Sequence, residues 1–130
     1  VVATQNADSD FNKGNDVTTN ILTSNKDVDF IYCCNDLMAL GALRATKEAG
    51  LKIDVRAFDG TTDAFRSIQE GGLIGSVAQK PADMAMIGVE MADKALNGEQ
   101  VEEKINTDLE IADGSNVEDW LAYAKKYSGK

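Results

Sequence analysis

Four apolar runs in this chain end on side chains that exchange hydrogen bonds through a fixed plane. Thr4-Gln5 follows Val1–Ala3, Asn35-Asp36 follows Asp29–Cys34, Asp59-Gly60 follows Ile53–Phe58, and Gln79-Lys80 follows Leu73–Ala78. An amide donates and accepts, and an ionised carboxylate accepts through both oxygens. Such groups at successive run ends suit a polyol, whose hydroxyls each donate and accept. The same residue types are also the preferred helix caps and turn formers. Position by position, cap and ligand are both open readings. Recurrence at run after run favours binding, and spacing by itself does not decide it.

Other chemistries are excluded more firmly. The 130 residues include no His, which removes a Ser–His–Asp triad, a Cys–His pair and any His-based metal site from within the chain. Cys33 and Cys34 are adjacent, with Cα atoms ~3.8 Å apart, short of the usual disulfide range. Two free, buried thiols are expected, with no His to activate either. No G-x-G-x-x-G or P-loop follows any of the runs, and Asp8, Asp10 and Asp16 do not match a calcium loop. A phosphate-accepting receiver domain would need an acidic pair where Thr4-Gln5 stands, and another strand between Asp59 and Lys80. Met84, Met86 and Met91 read as helix packing. Trp120, Tyr123 and Tyr127 read as partial packing rather than a sugar platform. A net charge of −9 argues against a general nucleic-acid binder, and 43% hydrophobic residues argue for a folded chain. No catalytic residue, cofactor or metal is expected, and no apolar run approaches bilayer length.

The elements that must position these groups alternate along the chain. Val1–Thr4 reads as a short strand and Phe11–Asn25 as a helix capped by Ser9 or Asp10. Asp29–Cys34, nearly continuous in apolar residues, reads as a strand buried on both faces. Leu37–Ala49 reads as a helix that is apolar around most of its circumference and well buried, closed by Gly50. Ile53–Phe58 is the next strand, followed by a short helix with a cap among Thr61, Thr62 and Asp63. Leu73–Ala78 is a further strand. Pro81 opens a helix whose stripe is Met84, Ile87, Gly88, Met91 and Ala95, ended by Gly98. Ile105, Thr107, Leu109 and Ile111 alternate with polar residues, as in a half-exposed strand. Ser115 to Glu118 has the form of a capping box before a last amphipathic helix. Helical crossovers between apolar strands imply parallel pairing, hence an open, doubly wound, mostly parallel α/β sheet.

Several long segments resemble one family. CCNDLMALGALRATKEAG (Cys33–Gly50) resembles the NDxMALGAxxAxxxAG stretch of periplasmic sugar-binding proteins of the ribose-binding type, the solute-binding proteins of ABC transporters. VRAFDGTTDAFRSIQEGGLIGSVAQKP (Val55–Pro81), IGVEMADKALNGEQV (Ile87–Val101) and VVATQNADSDFNKG (Val1–Gly14) are similar to further stretches of that family, in the same order. Regulators of the lactose-repressor class share the ND-MA-GA stretch but diverge over Val55–Pro81. An effector-binding lobe of such a regulator is the alternative.

The resemblance implies a non-catalytic, two-lobed, hinged protein that closes on one pentose or hexose and delivers it to the membrane subunit of an ABC transporter. Its setting would be periplasmic or extracellular, with a lipoprotein anchor as one form. On this implication the chain is a C-terminal portion with an incomplete lobe, which fits a start at Val1 already inside a strand. Residues 1–79 would be the second half of the sugar-binding lobe. Residues 80–103 would be a hinge crossing plus a helix that packs on the other lobe, and 104–130 a returning strand and terminal helix. Asn35, Asp59 and Gln79 match the family's ligands for sugar hydroxyls. Ser9 falls where the family commonly has a stacking aromatic and Phe11 where it commonly has Arg, so both are candidate ligand contacts. The Pro81–Gly98 helix, lacking its lobe, would offer its stripe to self-association.

Overall fold

In the computed structural model, which describes residues 1–128, Asp10 lies in extended backbone and accepts from the Lys13 N–H at 2.9 Å. It therefore caps helix α1 (Phe11–Ser24). Asp10→Ala is expected to cost about 1 kcal/mol, read as a lower urea midpoint at constant slope. An unchanged midpoint would contradict the cap.

Helix α1 lies across α2 (Asp36–Glu48), where glycines allow close approach. A Cβ on Gly14 would come within 2.7 Å of the Met38 carbonyl oxygen, and one on Gly41 would overlap the backbone of Phe11. Helix α2 is capped by Asn35, whose Oδ1 accepts from the Met38 N–H at 2.9 Å. It buries Ala39, Ala42 and Ala45, but Leu37 is 52% exposed, so the helix is covered on one side and not all round.

The sheet contains β1 (Phe30–Tyr32), β2 (Asp54–Asp59), β3 (Gly75–Ala78) and β4 (Glu110–Ala112), in that spatial order. The first three are parallel and β4 is antiparallel to β3. Helix α3 (Thr62–Gln69) joins β2 to β3, α4 (Pro81–Leu96) follows β3, and α5 (Val117–Ser128) follows β4. This is the mixed, mostly parallel α/β architecture expected. The core gathers Val55 and Ala57 of β2, Phe65 and Ile68 of α3, Ala78, Ala112, and Trp120 of α5. Trp120 is 5% exposed, with its ring centroid 5.5 Å from that of Phe65, so it is core and not merely partial packing.

Five further expectations are corrected. Val1–Thr4 forms no strand: a strand needs a ladder partner, and none pairs with it among the described residues. The Asp29–Cys34 run is a strand only over Phe30–Tyr32. Phe30 and Tyr32 are about half exposed, because β1 is an edge strand with one face covered. Of the two thiols, both free, Cys33 is half-buried and Cys34 exposed. The strand expected over Ile105–Ile111 shrinks to Glu110–Ala112, since β3 offers partners only at Ser76, Val77 and Ala78. The capping box is not formed. Ser115 Oγ donates to Asp113 Oδ1 at 2.6 Å, Asn116 Oδ1 accepts from the Asp113 N–H at 2.9 Å, and Glu118 instead accepts from Gln69 Nε2 on α3 at 2.6 Å.

Helix α4 begins at Pro81 as its sequence dictates, yet none of its residues is buried. Met84 and Val89 are 40% and 72% exposed. Its ties to the body lie at its root. Lys80 Nζ stands 3.3 Å from Glu110 Oε2 and 5.7 Å from the centre of the Trp120 ring.

Candidate functional site

Parallel strands point their carboxyl ends the same way, so residues that close β1, β2 and β3 share one rim of the sheet. Asp59 is the last residue of β2, and Gln79 follows β3 directly. The register pairs Asp59 with Ala78. The Gln79 N–H therefore donates to the Asp59 carbonyl at 3.0 Å, and Gln79 Nε2 donates to Asp59 Oδ1 at 3.0 Å. These two sequence-predicted residues are thus brought together. One carboxylate oxygen of Asp59 and the amide oxygen of Gln79 make no hydrogen bond among the described residues. Asn35 stands after β1 on the same rim. Its Oδ1 is used by the α2 cap, which leaves its NH₂ group to donate. Cap and ligand are therefore compatible roles for one amide.

Ser9 precedes helix α1 and Phe11 opens it. Ser9 is exposed in a turn with φ +55°, and the Phe11 carbonyl lies against Gly41. No hydrogen bond links either of them to Asn35, Asp59 or Gln79 among the described residues. A cavity of about 840 Å³ opens beside Asp59 and Gln79, walled also by Thr61, Met84, Trp120 and Tyr123. Asn35, Ser9 and Phe11 are not in its wall.

Behind the rim lies a buried pair, Asp36, which the sequence places among the run-end groups, and Ser76, which it does not. Asp36, 1% exposed, accepts from Ser76 Oγ at 2.7 Å and from the Thr61 N–H at 2.6 Å. Burial raises its carboxyl above the usual range, the hydrogen bonds from Thr61 and Ser76 oppose this, and the Asp59 charge adds to the rise. In the sequence Asp36 reads as a run-end carboxylate or a helix cap beside Asn35. Only the tertiary placement of β3 over it reveals the burial.

Burial, with Cys34 adding, pushes the Cys33 thiol up to about 11, which suppresses the thiolate a nucleophile needs. No cluster of metal-ligating side chains occurs among the described residues. No helix of the described residues is long and apolar enough to cross a membrane.

Comparison with known proteins supplies the relationship. The periplasmic binding protein domain family matches residues 1–100. The chain is 47% identical over 111 residues to the ribose import binding protein of Haemophilus influenzae, covering 85% of this chain and 38% of that protein. Its fold superposes on an ABC transporter periplasmic solute binding protein from Actinobacillus succinogenes solved with bound D-allose. The TM-score is 0.85 and the identity 30%, over 87% of this chain and 40% of that one. It superposes likewise on an ABC transporter solute binding protein from Bacillus halodurans solved with bound myo-inositol, with TM-score 0.83 and 32% identity over 90% and 41% of the two chains. The chain thus spans about two-fifths of the length of these relatives. By sequence match and fold, it belongs to the periplasmic binding protein domain family.

Proposed function

We propose that this chain forms part of the sugar-binding cleft of an ABC importer's solute-binding protein, with Asn35, Asp59 and Gln79 as hydroxyl ligands. The observation that carries the reading is the doubly bonded Asp59–Gln79 pair at neighbouring strand ends, with Asn35 on the same rim. A carboxylate oxygen and two amides supply the acceptors and donors that a pentose or hexose requires. The relatives above are named for sugar import or were solved with a sugar or a cyclitol, which favours an import role over the effector lobe of a regulator. The work of such a protein is binding and release to a membrane subunit, without catalysis. Its setting is the periplasm or the cell exterior, with a lipoprotein anchor as one means of retention. Ser9 and Phe11 would approach the ligand only from the α1 side.

The division of the chain follows from the same reading. Residues 1–79 contribute the rim, 80–103 cross a hinge and place α4 against a companion lobe, and 104–130 return to the sheet. The exposed side of α4 supports that placement. In the 130-residue chain by itself, the same side is offered to a second copy.

Calorimetric titration of the full-length protein with D-ribose, D-allose and myo-inositol tests the function. One of these, or a related monosaccharide, is expected to bind with micromolar or tighter affinity, and the 130-residue chain by itself only weakly or not at all. No heat from any pentose, hexose or cyclitol would overturn the reading. A micromolar isotherm from the 130 residues would overturn the view that half of the cleft lies elsewhere.

A further inference from the structure

We propose that Asp36 and Ser76 are positioning residues of the strand-end site, holding from below the turn that aims the Asp59 carboxylate. The inference rests on reading Asp59 as a ligand residue. Asp59 has φ +122°, a conformation that a residue with a side chain keeps only when its surroundings impose it. The two amides that follow it are both held. The Gly60 N–H donates to Ser76 Oγ at 3.3 Å, and the Thr61 N–H donates to Asp36 Oδ2 at 2.6 Å. Ser76 Oγ in turn donates to Asp36 Oδ1 at 2.7 Å, so one carboxylate organises both bonds.

Asp36 is 1% and Ser76 0% exposed. No cation pairs with Asp36 among the described residues, so its charge is stabilised by these donors. A carboxylate buried without an ion pair is costly to keep. An Asn there would present one acceptor oxygen and an NH₂ that cannot accept from either donor. The turn also needs glycine at its second place. Gly60 has φ +79°, and a Cβ on it would lie 2.6 Å from the Ala78 Cβ. The turn has no slack there, and Asp59 takes its orientation from the bonds beneath it.

The Gln79 side-chain amide is the reporter, because it donates to Asp59 and makes no hydrogen bond to Asp36 or Ser76 among the described residues. In ¹H–¹⁵N spectra of the 130-residue chain, Asp36→Asn and Ser76→Ala are each expected to move the Gln79 NH₂ resonances toward the positions found in Asp59→Asn. Thr46→Val serves as a control. It alters a side chain just as buried that lies away from the turn, and should lower the melting temperature without moving them. In the full-length protein, Asp36→Asn should weaken the best sugar of the panel about ten-fold. Lower melting temperatures with unmoved Gln79 resonances and unchanged sugar affinity would overturn the proposal. If Asp36→Asn does not fold, Ser76→Ala, which deletes a single hydroxyl, decides on the same resonances. If the resonances move but no sugar binds the unaltered protein, the positioning role stands and the sugar reading fails.

Discussion

Asp59→Ala in the full-length protein is expected to weaken sugar binding by roughly ten- to a hundred-fold, the loss of a charged hydrogen bond inside a closed cleft. The carboxylate accepts from Gln79 Nε2 through Oδ1, which leaves its other oxygen for a ligand hydroxyl. Alanine removes that acceptor and also releases the Gln79 amide, whose orientation the carboxylate fixes. One substitution therefore disturbs both of the residues proposed as ligands. Asp59→Asn keeps the volume and one acceptor, so its loss should be smaller. Calorimetry on both variants, with circular dichroism to confirm the fold, is the measurement. An affinity unchanged in Asp59→Ala would remove Asp59 from the site.

The second large effect concerns the fold. Gly41→Ala is expected to destabilise the chain by about 3 kcal/mol, the upper part of the range for overpacking. The added Cβ would overlap the Phe11 carbonyl oxygen and come within 2.9 Å of the Asn15 nitrogen, both atoms of the α1 backbone. A flexible side chain could turn aside, but a helix backbone must shift as a unit. Helix α1 would be pushed off α2, uncovering Leu22 and Thr18, which are now buried. Urea unfolding followed by circular dichroism reads the loss. A midpoint equal to that of the unaltered chain would show that α1 does not pack as described. Away from this contact, Gly88→Ala at an open position of α4 should be close to neutral or slightly stabilising.

Much of this was legible in the residues. The helix starts follow from local chemistry that acts within one turn: Asn35 and Pro81 outright, and Asp10 and Thr61 from the short sets Ser9 or Asp10 and Thr61 to Asp63. The strands that close on Asp59 and Gln79 announced themselves by apolar runs that end in polar groups. What sequence did not reveal depends on partners distant in the chain. Whether Val1–Thr4 is a strand depends on a neighbour for its ladder, not on its own valines. The length of β4 is set by β3, and the exposure of Phe30 and Tyr32 by their place at the sheet edge. That Asn35, Asp59 and Gln79 would share one rim was readable because parallel strand ends converge by topology. The burial of Asp36, named only as a run-end group, and its tie to Ser76 were not, because they arise where residues 40 positions apart come within 2.7 Å.

The open flank of β1 bears on how the chain behaves in solution. An unpaired strand edge is a template onto which another extended segment can add, the usual route to edge-to-edge aggregation. Here the template is only three residues long, and Asp27 and Asp29 stand at its entrance. A second copy approaching edge to edge would bring like charges together before it formed many ladder bonds. In the 130-residue chain by itself, shortness and acidity thus limit such addition. Substitutions that neutralise Asp27 or Asp29 trade that protection for added β-propensity.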